Sequence, residues 1–290
     1  MSAGPFLAGI FSLPRIIYTP IWCGLRNCFE KEGSGGGLKA GEKMKVRLFA
    51  TCSAELLYPA APEAAVEVLE SLGVEVLFPT GQVCCGQPWL NMGHPGGAKE
   101  LAGTFAEVFE GPEPIVAVSA SCVDTIRNRL PGLYPEGSPE QESLRLLASR
   151  TFEFVEFLHG VLKFTDPPAH PEPPVVTYHS SCRTLRGLEL VGVVEEYCAR
   201  LFGEAFRPLP DAEVCCGFGG SFSVKLPEIS TKLMDDKLDA ILSTGASQVV
   251  SLDLGCLTHL KGGADRRGLG KIRFRHFSEL LAEALRGGHQ

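Results

Sequence analysis

Eleven cysteines occur in this chain, and eight of them fall into two matched sets. Cys84-Cys85-Gly86 has Cys52 upstream and Cys122 downstream; Cys215-Cys216-Gly217 has Cys182 upstream and Cys256 downstream. Between Cys52 and Cys84 lie 31 residues, and between Cys182 and Cys215 lie 32. From Gly86 to Cys122 the gap is 35, and from Gly217 to Cys256 it is 38. Thiolate sulfur is a soft donor, suited to iron–sulfur clusters and zinc and poorly suited to magnesium or calcium. The pattern therefore predicts two soft-metal sites on a duplicated scaffold. Cys52, Cys84, Cys85 and Cys122 would ligate at one, and Cys182, Cys215, Cys216 and Cys256 at the other.

Other residues around these loops have chemical readings too. Gly86 and Gly217 remove a Cβ where backbone must crowd an inorganic core, and they permit positive φ. Backbone N–H groups of Gln87 and of Phe218-Gly219-Gly220-Ser221 are expected to face sulfur, where such bonds tune reduction potential. His179, three residues before Cys182, is either a neighbour of the bound group or a proton donor, or else a histidine hydrogen-bonded at a strand end. His94 and His259 stand near the same loops and have the same readings, whereas Lys225 would stabilise the charge of a reduced cluster or a carboxylate substrate, or else be a solvated lysine. Cys198, in the middle of an expected helix, reads as a small hydrophobe. Zinc at one or both sites is the main alternative to clusters. Zinc sites usually use close Cys pairs, whereas here the ligands are spread over more than thirty residues.

The elements that must position these thiolates repeat in one order. In the first half, Val46–Ala50 reads as a strand ending just before Cys52. A helix from Pro62 to Leu72 with Gly73 as its cap, a strand from Val74 to Phe78, and a helix from Ala98 to Phe109 follow. Ile115–Val118 is a strand that runs towards Cys122. In the second half, strand Val175–Tyr178, helices Leu190–Phe202 and Glu228–Leu242, and strand Val249–Leu252 lead to Cys182 and Cys256. Short strands alternating with helices predict an α/β fold: two pseudo-repeated three-layer domains with mostly parallel sheets. The crevice beyond strand carboxyl ends is the usual ligand site of such sheets, so each unit can bring four thiolates to one place. Ser138, Pro139 and Gln141 read as the start of a capped helix expected to reach Leu162. Residues 164–174 hold five prolines and read as a stiff linker between domains 44–163 and 175–290.

Residues 1–43 read as a poorly ordered N-terminal extension, with Gly33-Ser34-Gly35-Gly36-Gly37 as flexible linker. The natural domain, and the natural start codon with it, is expected at Met44. Cys23 and Cys28 alone cannot close a tetrahedral site. No apolar run reaches the about 18 residues of a transmembrane segment. The formal charge of −7 argues against a nucleic-acid partner, and the basic run from Lys261 to Arg275 reads as a solvated loop and strand edge. A secreted disulfide scaffold would be short and cysteine-dense, so a cytoplasmic protein with metal-held thiolates is expected. No Gly-rich nucleotide fingerprint and no general-base constellation stand out.

The doubled Cys…Cys-Cys-Gly…Cys pattern resembles the cysteine-rich CCG-domain family. That family includes the B subunit of heterodisulfide reductase and the iron–sulfur subunit of glycolate oxidase. The resemblance rests on Ala50-Thr51-Cys52, Gln82 to Pro88, Val214 to Lys225 and Gly255-Cys256-Leu257, and covers Met44 to about Leu285. Within the family the chain resembles the lactate-utilization type. The resemblance implies an iron–sulfur electron-transfer subunit, with two [4Fe-4S] clusters, in a cytoplasmic complex oxidising L-lactate or a related 2-hydroxy acid such as glycolate. It implies as partners a ferredoxin-like iron–sulfur subunit and a further lactate-utilization subunit or a flavin oxidase. Two rival functions are a heterodisulfide- or thiol-reductase subunit and a zinc-stabilised, non-redox module. Heterodisulfide reductase-type sites carry a fifth cysteine where this chain has Ser119 and Asp253, and relatives often have Asp and His at Ser180 and Arg183.

Overall fold

The computed structural model describes residues 43–287. The expected N-terminal extension, with Cys23 and Cys28, lies outside the described residues apart from Lys43. In chain order the first half contains β1 (Lys45–Phe49), α1 (Cys52–Leu57), α2 (Ala60–Ser71), β2 (Glu75–Leu77), α3 (Gln87–Met92) and α4 (Pro95–Val108). It continues with β3 (Ile115–Ala117), α5 (Ala120–Asn128), α6 (Pro139–Ser149), β4 (Thr151–Glu153) and the single turn α7 (Phe154–Glu156). The second half contains β5 (Val176–Tyr178), α8 (Val193–Phe202), α9 (Ser221–Lys225), α10 (Pro227–Ser243), β6 (Gln248–Ser251), α11 (Leu254–Arg266), β7 (Arg273–His276) and α12 (Phe277–Gly287).

The strands make two all-parallel sheets, ordered β2-β1-β3-β4 and β5-β6-β7. The chain is thus α/β with parallel sheets. The partner that would match β2 in the second sheet is reduced to one parallel bridge between Val176 and Phe206. β1 and β3 are nearly all apolar inside: Val46, Leu48, Phe49 and all three residues of β3 are buried. A strand covered on both faces needs such a run. The core is continuous through both halves. Their closest join is α2 against α12, where the Ser278 hydroxyl donates to the Ala61 carbonyl at 2.8 Å in a buried contact.

Several expected elements end elsewhere. The helix opened by Ser138 stops at Ser149 instead of running to Leu162. Thr151-Phe152-Glu153 then becomes an edge strand paired with β3. The β-branched Thr151 and aromatic Phe152 favour a pleated, packed position over a helix interior. Ser138 does cap α6 by accepting from the Gln141 N–H, but the Gln141 side chain turns to the Gly137 N–H. Pro62 is the third residue of α2 rather than the first, while Gly73 takes φ +82 just past the helix as a C-terminal glycine should. The basic run is a loop and strand edge only in part: Lys271 stands exposed in the turn before the edge strand β7, which carries Arg273 and Arg275, but Lys261 and Arg266 lie on α11, and Arg275 is paired with Glu279 and Glu283. Residues 164–174 carry no helix or strand.

Candidate metal centres

Each half brings its four patterned cysteines together. Cys52 opens α1, Cys84 and Cys85 stand in the loop before α3, and Cys122 is the third residue of α5. Their sulfurs interact as a chain: Cys52 with Cys84 at 3.6 Å, Cys84 with Cys85, and Cys85 with Cys122. The second half repeats this, Cys182 bonding to Cys215, Cys215 to Cys216, and Cys216 to Cys256 at 3.1 Å. The outer pair of each set, Cys52 with Cys84 and Cys182 with Cys215, is at least partly solvent-exposed. The inner pair, Cys85 with Cys122 and Cys216 with Cys256, is buried. Cys122 and Cys256 sit in the first turns of α5 and α11.

Proton sharing within each set is uneven. Thiols of Cys52 and Cys85 donate to Cys84 and hold its pKa well below the usual thiol value. Cys215 is lowered to about 2 by the thiols of Cys182 and Cys216. Cys52 and Cys182 are correspondingly raised, each keeping the proton it donates. Cys256 accepts from Cys216, yet burial together with the negative charges of Asp253 and Cys215 outweighs this and raises it. Each set thus lines up four sulfur donors, the donor chemistry a soft metal or cluster needs.

The loop glycines earn their place sterically. Gly86 has φ +81 and Gly217 has φ +87, a region that L side chains rarely adopt. A Cβ at Gly217 would lie 2.5 Å from the Ser230 carbonyl oxygen, and one at Gly86 3.4 Å from Cα of Ala98. Gly217 also donates its N–H to Cys215 at 3.4 Å, and the Phe218 N–H is turned to Cys216.

His179 is buried, and neither ring nitrogen has a hydrogen-bond partner. It shares one pocket with Cys216 and Cys256, the three ligand atoms lying within 4.8 Å of one another. Burial, with help from Lys237, pushes its pKa down to about 3 and keeps the imidazole neutral. The other histidines are less involved. His94 is exposed at the start of α4, and His259 Nε2 meets the Ser230 hydroxyl at 3.3 Å. Lys225 is exposed, and Cys198 is fully buried in α8 as a small apolar residue.

Asp253, one of the two positions where a fifth ligand was conceivable, is otherwise engaged. Its carboxylate accepts from Gly255 N–H and from Ser121 N–H, both at 3.1 Å. It therefore caps α11 and bridges to the first turn of α5. Ser119 begins α5, with its hydroxyl 3.4 Å from that of Ser121. Arg183 joins the halves by an ion pair with buried Asp124 at 2.7 Å. Asn91, on α3, accepts from Arg129 on its side chain and from the Ser221 hydroxyl on its carbonyl.

Sequence reading passed over Lys237. Its side chain is 1% exposed, and its Nζ donates to the Asp211 carbonyl at 2.6 Å. The signal was available: Lys237 stands three residues after Met234 and four before Ile241, on the apolar face of α10.

A family model described as a cysteine-rich domain, CCG, matches residues 46–127 and again residues 176–261. The chain belongs to this cysteine-rich CCG family. Each match spans one complete cysteine set, so the duplication in the CCG motif and the duplication in the sheets coincide. Lactate utilization protein A of Bacillus cereus (strain B4264) is 39% identical to the CCG chain over 238 residues, covering 82% of this chain and 98% of that protein. Lactate utilization protein A of Bacillus thuringiensis (strain Al Hakam) and lactate utilization protein A 2 of Bacillus anthracis (strain CDC 684 / NRRL 3495) align with the same identity and coverage. Among the described residues no helix is long and apolar enough to cross a membrane.

Proposed function

We propose that this CCG protein is an iron–sulfur electron-transfer subunit of a cytoplasmic complex that oxidises L-lactate or a related 2-hydroxy acid. The observation that carries the reading is the convergence of four cysteines in each half, sulfur against sulfur. The names of relatives aligned over 98% of their length supply the substrate class. A four-thiolate [4Fe-4S] cluster would supply one-electron transfer when bound. Cys52, Cys84, Cys85 and Cys122 would hold the first, and Cys182, Cys215, Cys216 and Cys256 the second. Buried Cys85, Cys122, Cys216 and Cys256 keep water from the inner side of each site, while exposed Cys52 leaves the first open to a partner. N–H groups of Gly217 and Phe218 orient the second sulfur pair. The partners would be a ferredoxin-like iron–sulfur subunit and a further lactate-utilization subunit or a flavin oxidase.

Structural zinc is the second reading, and one distance favours it. The 3.6 Å between Cys52 and Cys84 sulfurs is near the roughly 3.8 Å edge of a tetrahedron with 2.3 Å zinc–sulfur bonds. Metal and acid-labile sulfide analysis of protein purified without oxygen, with EPR of the reduced protein, separates the two. Iron and sulfide at about eight each per chain, as two four-iron clusters require, with a reducible signal, support the electron carrier. Zinc without sulfide would overturn it.

A further inference from the structure

The two cysteine sites can be superposed residue by residue through their repeat. Pro95 and Pro227 open α4 and α10, and Gly86 and Gly217 lie against Ala98 and Ser230, each three residues further on. Ten residues past the prolines stand Phe105 and Lys237. Three residues before the lead cysteines stand Phe49 and His179. In the first half Phe49 and Phe105 are both buried and meet edge-to-face, with ring centroids 5.1 Å apart. In the second half the same two places hold a buried histidine and a buried lysine. One site is backed by hydrocarbon, and its twin by an imidazole and an ammonium group.

We propose that Lys237 and His179 make the second site the easier of the two to reduce, so that electrons received at the first site pass to the second. This rests on the reading that both halves hold a cluster. Reduction adds negative charge to a thiolate-ligated site, and a cation in a low-dielectric interior stabilises that charge far more than a solvated one does. The Lys237 charge acts on Cys216 and Cys215 and on the His179 ring. One unpartnered His179 ring nitrogen lies within 4.8 Å of the Cys216 and Cys256 sulfurs, so an N–H there is available to sulfur.

The other charges near the sites do not cancel this difference. Asp211 and Glu213 also act on Lys237, but both are exposed and screened by water. Arg129 acts on Cys85 and Arg183 on Cys182, one arginine for each site. Asp253 joins the helix starts that carry Cys122 and Cys256; its charge bears on Cys256 and opposes Lys237 there, but it is met by backbone N–H groups.

The test is a redox titration followed by EPR on the full chain, with iron and sulfide measured on every sample. Two midpoints are expected. The Cys216→Ala protein should retain the lower one and Cys85→Ala the higher, at least tenfold apart in reduction equilibrium constant, or 59 mV for one electron. Lys237→Met should move only the higher midpoint, downwards, with iron content unchanged; His179→Phe should move it the same way. Equal or inverted midpoints in the two cysteine variants would overturn the inference, as would an unmoved midpoint in Lys237→Met. Loss of iron from the second site in both Lys237→Met and His179→Phe would make these residues scaffold and also overturn it. An unaltered chain without iron and sulfide would overturn the function itself, which the analysis of each sample distinguishes from a failed asymmetry.

Discussion

The carboxylate of Asp253 accepts a hydrogen bond at 3.1 Å from the backbone N–H of Ser121, 132 positions earlier in the chain. Its other oxygen caps α11 through Gly255. One side chain thus fixes the first turns of both helices that present the inner cysteines. Loss of a helix cap costs about 1–2 kcal/mol, and here two helix starts lose a partner together. Asp253→Ala should lower the urea midpoint clearly, and Asp253→Asn, which keeps one carbonyl acceptor, should lower it less. Equal midpoints for the two variants would count against the bridging role.

The two loop glycines should differ in tolerance. Alanine at position 217 would bring a Cβ to 2.5 Å from backbone oxygen, whereas at position 86 the nearest atom is 3.4 Å away. Both substitutions carry the cost of positive φ, about 1–2 kcal/mol. Gly217→Ala adds overpacking of about 1–3 kcal/mol. Thermal denaturation should therefore rank Gly217→Ala well below Gly86→Ala.

Separate sites should empty separately. Cys85→Ala should remove about half of the bound iron and sulfide, and Cys216→Ala the other half, with both variants folded by circular dichroism. Unchanged iron in either variant would remove that cysteine from the ligand set.

Arg183 and Asp124 tie the halves together. Asp124 is buried and keeps only Asn128, at 2.9 Å, once Arg183 is gone. Breaking a fully buried pair costs about 3–5 kcal/mol; since Arg183 is 36% exposed, about 1–3 kcal/mol is expected for Arg183→Met. The Arg183→Met, Asp124→Asn double variant should recover part of that loss, which a double-mutant cycle measures.

Acid should loosen the α12 edge. Burial alone would raise Glu283, but the two-pronged pairing with Arg275 outweighs it and leaves its pKa below the usual value. A depressed folded pKa stabilises above the unfolded value of about 4.3 and is lost as pH falls through the folded one. Glu283→Gln should therefore be less stable than the unaltered protein at pH 7, and the gap in urea midpoint should narrow towards pH 3.

Legibility in the sequence followed how local each cause was. The eight cysteines and two glycines were readable because ligand type and repeat spacing are written directly in the chain. β1, β3, β5 and β6 were readable as apolar runs, and α10 to within one residue at each end. β4 and β7 were not, because an edge strand such as Thr151–Glu153 is stabilised by pairing with β3 rather than by its own pattern. Asp253 looked like a spare ligand because its partner, Ser121, lies in the other half. Lys237 went unread although its spacing from Met234 and Ile241 puts it on the apolar face of α10.

The seating of α12 on α2 has a consequence for synthesis. The apolar face of α2, with Ala61, Ala65, Val68 and Leu69, is made early, and the helix that covers it is residues 277–287. On the ribosome the first half must wait with that face uncovered until the second half has been translated. A nascent first half therefore exposes this apolar helix face to chaperones until the second half emerges.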